Sequence, residues 1–140
     1  MESRFRARRR LSIRRMEQEK MSRSAVSLFV FSIYMFALGA MLVGAPNVLL
    51  SVFAIPETHE VWIRVVGMLV LIIGYLDFAA SRNGVLLYLR WSVPARLSVP
   101  LFLGAFVLLG LAPPILILFG VIDAAAAIWT AVSLRREGLA

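Results

Sequence analysis

The stretch Phe119-Gly120-Val121-Ile122-Asp123-Ala124-Ala125-Ala126 lies inside an apolar run from about Pro114 to Leu134. Its counterpart is Ile73-Gly74-Tyr75-Leu76-Asp77-Phe78-Ala79-Ala80, in a run from about Val61 to Ala80. Both carry the pattern G-x-x-D-x-A-A, and Asp77 and Asp123 are the only acids within apolar segments. Runs of about twenty apolar residues are long enough to cross a hydrocarbon core as helices. A carboxylate inside such a run costs a few kcal/mol or more, so two in matching positions demand a reason.

Two further spans complete the pattern. One covers about Ser24 to Gly44, whose 21 residues reach about 31 Å as a helix. The other is expected at about Ala95 to Leu111, because Val93-Pro94 reads as a break: the residue before proline disfavours the α region. Residues 85–91 then read as an in-plane helix or a lead-in to the next span, with Tyr88 and Trp91 as interface anchors. Between Pro46 and Pro56 an apolar segment is too short to span and suits an interfacial helix. The expected architecture is all-α, an integral membrane four-helix bundle. A basic arm (1–23) precedes the four-span domain (24–136), and a short tail (137–140) follows.

Composition agrees with this. Sixty-one per cent of the 140 residues are hydrophobic and the mean hydropathy is +0.86, well above the usual 45–50% apolar content of soluble domains. Without cysteine there is no disulfide, thiolate metal site or cysteine nucleophile, and His59 is the only histidine. No Ser-His-Asp set, phosphate loop or metal-ligand cluster stands out, so neither an enzyme nor a bound cofactor or metal is expected. Glu57, His59 and Glu60 read as an exposed acidic turn.

The net charge of +7 is concentrated in residues 1–23, which hold nine Lys/Arg against three acids. Arg8, Arg9, Arg10, Arg14 and Arg15 crowd this arm without a helical apolar face. It is expected to meet anionic headgroups at roughly 1 kcal/mol per basic residue, or to do no more than fix topology; nucleic acid is not the expected partner. Met16 and Met21 are alternative translation starts. The arm, the 81–96 connection and the C-terminus hold fourteen of the fifteen basic residues, whereas residues 45–60 hold none. By the positive-inside rule both termini are cytoplasmic and the His59 loop faces outward.

Matching the two halves gives a 2+2 tandem repeat: Leu38-Gly39-Ala40 against Leu103-Gly104-Ala105, and Asp77 against Asp123. The opposing reading is chance, since Leu, Gly and Ala recur in any span. Small residues at helical spacing mark close helix contacts. Those expected are Gly120, Asp123, Ala124, Ala127 and Ala131 in the last span, Gly67 and Gly74 in the second, and Ala40 with Gly44 in the first.

For the acids, three readings compete. In the first, Asp77 reaches the interface or pairs with Arg82, while Asp123 is the truly buried acid, bonded to Tyr75, Tyr34, Ser32 or Thr130. In the second, Asp77 and Asp123 are stations of a proton or cation route, with His59 and Arg64 at its outer mouth and Arg64 snorkelling toward Glu57 or Glu60. Catalysis ranks last. The expected function is therefore a non-catalytic accessory, assembly or stabilising subunit of a membrane complex, or a homo-oligomer, whose partners are lipids and other membrane subunits or itself. The alternative is a small proton- or cation-coupled transporter using Asp123 and Asp77.

Trp62-Ile63-Arg64-Val65-Val66-Gly67, Arg90-Trp91-Ser92-Val93-Pro94-Ala95-Arg96 and Leu118-Phe119-Gly120-Val121-Ile122-Asp123 resemble segments of small bacterial four-span membrane proteins of the DoxX-like and BphX-like kind. The resemblance covers about residues 24–136. It implies a four-helix bundle in a bacterial inner membrane and a redox or accessory role beside membrane enzymes. It carries no catalytic residue over to this chain.

Overall fold

The computed structural model describes residues 21–140, and the arginines of the arm singled out above lie outside them. Five helices and one 3-10 turn follow in order: α1 (Arg23–Gly44), α2 (Pro46–Val52), α3 (Trp62–Asn83), α4 (Leu86–Leu108), the turn Pro114–Leu116 and α5 (Ile117–Arg136). The described residues contain no strand. Four segments are long and apolar enough to cross a membrane, namely α1, α3, α4 and Pro114–Arg136. The chain is thus a multi-pass membrane protein built as a helical bundle.

Helix α4 departs from the sequence reading. Pro94 and Pro100 both lie inside it, so Val93-Pro94 does not end a helix, and residues 86–91 are the first turns of the span instead of an in-plane segment. Each proline removes one backbone hydrogen bond. Breaking the helix would orphan several more groups where no water is present to receive them, so the helix continues through both.

Packing is pairwise. Helix α1 lies mainly against α3, α4 against α5, and α1 also against α5, whereas α4 touches α1 and α3 little. The spatial order is therefore α3, α1, α5, α4. Glycines set the distances within each hairpin. A β-carbon on Gly67 would stand 2.7 Å from Leu42 Cβ and 2.9 Å from Val43 N, and one on Gly74 would stand 3.0 Å from Met35 Cβ. One on Gly120 would meet Pro100 Cα at 2.9 Å. The glycines of the two G-x-x-D motifs thus do the same job: each faces the preceding long helix of its own hairpin. The expected Ala40–Gly44 contact is absent, since both residues are exposed. Gly39 takes that role, its β-position lying 2.7 Å from Leu71 Cγ.

The ends are closed by specific groups. Ser22 caps α1, its hydroxyl accepting from Ala25 N at 3.1 Å. Gly84, at φ 60°, stops α3 in the left-handed conformation that glycine alone adopts cheaply, and α4 begins two residues later. Glu137, just past α5, accepts from Ser24 N at 3.1 Å and from Ser24 Oγ at 2.6 Å. A carboxylate at the first turn of α1 also complements that helix's dipole. The apolar core, Leu28, Ala80, Leu89 and Leu134, lies at this same end. It is called the basic end here, after Arg23, Arg82, Arg90, Arg135 and Arg136. At the far end Phe53, next to α2, packs edge-on against Phe119 of α5 with centroids 5.1 Å apart.

Candidate functional site

The polar interior is organised around Arg96. As the eleventh residue of α4 it lies roughly 15 Å along that helix, and only 6% of its surface is exposed. Its Nε donates to Ser92 O at 3.2 Å, and its Nη2 donates to Ser92 Oγ at 3.0 Å and to Thr130 Oγ1 at 2.9 Å. The guanidinium carbon stands 4.7 Å from the Phe31 ring centroid, a cation–π contact with α1. One arginine therefore touches α1, α4 and α5 together.

Around it lie both motif carboxylates. Arg96 is within electrostatic range of Asp77 and Asp123, although neither is among its hydrogen-bond partners. Asp77, with 3% exposure, accepts from the Tyr88 hydroxyl at 2.9 Å and so links α3 to α4. Asp123 is only half-buried. Within the bundle Asp77 is thus better covered than Asp123, although along its helix it stays nearer the basic end, six positions from Asn83 against thirteen from Asp123 to Arg136. The position of α4 explains this cover: its first turns, through Tyr88, lie over Asp77. Arg82 does not pair with Asp77; its Nη1 lies 3.9 Å from Met21 Sδ.

The hydroxyls expected at Asp123 have other commitments. Thr130 shares a hydrogen bond with Ser27 at 2.9 Å and donates to Ala126 O. Ser32 donates to Phe29 O, and Tyr75 is 61% exposed. The Tyr34 hydroxyl and Arg96 Nη1 are buried without a hydrogen-bond partner, and Tyr34 is within electrostatic range of Asp123. The centre is thus a countercharge flanked by two acids, with two donors turned inward.

The other expected site residues separate into two groups. Gly120 and Ala127 are fully packed and Ala131 is half-buried, so the small stripe of α5 is a true contact face. His59 is exposed in the far-end loop. Arg64 turns to the carbonyls of Val43 and Gly44, at the C-terminal end of α1, in place of Glu57 or Glu60. A cation satisfies unpaired carbonyls and the negative end of the dipole there. Neither His59 nor Arg64 reaches the acids. No group of three or more His, Cys, Asp or Glu capable of holding a metal occurs among the described residues.

Arg96 is the residue that sequence reasoning missed. Read as part of a loop, it counted among the basic flanks; read eleven residues into a continuous helix, it becomes an intramembrane cation. No family model, curated protein or solved structure matches this chain.

Proposed function

We propose that this chain is a non-catalytic membrane subunit: an accessory, assembly or stabilising component of a membrane complex, or a homo-oligomer. One observation carries the reading. Buried polar groups join the two hairpins, through Tyr88 to Asp77, Ser27 to Thr130 and Arg96 over Phe31, while Arg96 to Thr130 ties α4 to α5 within the second. Interior polar contacts of this kind specify which helices pair, and they leave the outer faces for partners. Loss of Arg96 from the basic loop still leaves Arg82 and Arg90 beside that connection. Both termini then sit in the cytoplasm by the charge rule, and the resemblance to DoxX-like and BphX-like proteins favours a bacterial inner membrane. The parallel placement of Gly74 on α1 and Gly120 on α4 supports a 2+2 repeat. The arginine-rich arm is assigned to anionic lipid or a cytoplasmic partner.

A second reading rests on its own observation: Arg96 stands within range of both Asp77 and Asp123, as in a proton or cation route with a fixed countercharge. Reconstitution into liposomes with an internal pH-sensitive dye separates the two. The subunit reading expects no flux above empty vesicles, and expects Asp123→Asn to alter detergent stability or partner co-purification. A proton flux abolished by Asp123→Asn in a folded protein would replace it with the transporter.

A further inference from the structure

We infer that the basic end carries a binding site for one anionic phospholipid. Where α1, α3 and α4 meet, a cleft of about 690 Å³ opens. Its mouth holds Arg82, Asn83 and Ser22, and its floor holds Leu86, Leu89 and Leu139. The two-residue connection at Gly84 creates it, because α3 and α4 reverse direction there and then pack little against each other.

The lining matches one ligand chemistry. Half of it is polar with an exposed arginine and half is apolar, down to Leu89, which is 2% exposed. No acid lines it among the described residues. Glu137, two positions before the lining residue Leu139, is already bonded to Ser24. A guanidinium beside an apolar trough suits a phosphodiester whose acyl chains start at the same depth. The depth also fits. Trp91 follows Leu89 by two positions and is 72% exposed, as expected of an indole in the headgroup boundary. Arg23, Arg90, Arg135 and Arg136 lie at the same end and raise the local concentration of anionic lipid.

Native mass spectrometry of the full chain in mild detergent, titrated with phosphatidylglycerol or phosphatidylcholine, tests this. About one phosphatidylglycerol should remain bound per chain at concentrations where phosphatidylcholine does not. Arg82→Gln should weaken that binding about tenfold, the worth of one charge-assisted contact, while Arg135→Gln, outside the cleft, should not. Both side chains are exposed, and an unchanged melting temperature certifies the fold. Equal retention of the two lipids would overturn the site, as would equal loss in the two variants. Displacement by millimolar glycerol phosphate would overturn the lipid assignment, because a free phosphate compound would then suffice.

Discussion

Arg96 is held by groups from three helices, and its removal leaves two interior carboxylates without a countercharge. Stranding a buried charge costs on the order of 3 kcal/mol. Arg96→Met should therefore lower the melting temperature in detergent far more than Arg135→Met, whose side chain is exposed. Adding Asp77→Asn and Asp123→Asn to Arg96→Met should recover part of the loss. The glycines give an independent ranking. Gly67→Ala and Gly120→Ala force a β-carbon against backbone atoms at 2.9 Å, a strain of about 1–3 kcal/mol. Gly39→Ala meets Leu71 Cγ at 2.7 Å, a side chain that can shift, and backbone only at Gly67 O, 3.0 Å, so it ranks between; Gly104→Ala meets nothing within 4 Å. Thermal unfolding of the four variants should place Gly67 and Gly120 as the damaging pair, with Gly104→Ala close to neutral.

The continuity of α4 has a chemical signature. Ser92 is buried in the span, so Ser92→Cys should resist a membrane-impermeant maleimide in intact vesicles open at the basic side, while Asn83→Cys at the exposed turn reacts. Ready labelling of both would restore the in-plane reading of residues 85–91. That misreading shows where sequence reasoning stops. Helices α1, α3 and α5 were legible because uninterrupted apolar length decides them, and the Gly84 turn was legible from its residues. Helix α4 was not, because Pro94 is a breaker in water and only a local defect in lipid. The centre hung on that boundary: Arg96 moved from flank to interior, and the first turns of α4 came to cover Asp77. The contact face through Gly120 and Ala127 survived, since small residues at helical spacing need no knowledge of the partner. Their partner, Pro100, did need it.

At the scale of the molecule, two hairpins meet through a few polar bonds. Coexpressed as separate pieces, residues 1–84 and 85–140, they should copurify, and Arg96→Met should weaken that association. If the charge rule holds, a reporter placed after His59 should lie on the non-cytoplasmic face; a cytoplasmic signal there would overturn the proposed orientation.

The bond from Glu137 to Ser24 ties the beginning of the first span to the residue just past the last. During synthesis those two groups are separated by 113 positions, a delay of roughly 5–20 s at ordinary elongation rates. The α1–α3 pair is complete and able to zip together long before that. Ser24 and Ser27 must therefore wait, held only by local bonds to Ser22 and within α1, until residues 130–137 leave the ribosome. The basic rim thus closes late, and a slow codon or an inhibitor that stalls elongation within α5 should leave that serine face open to a neighbouring helix.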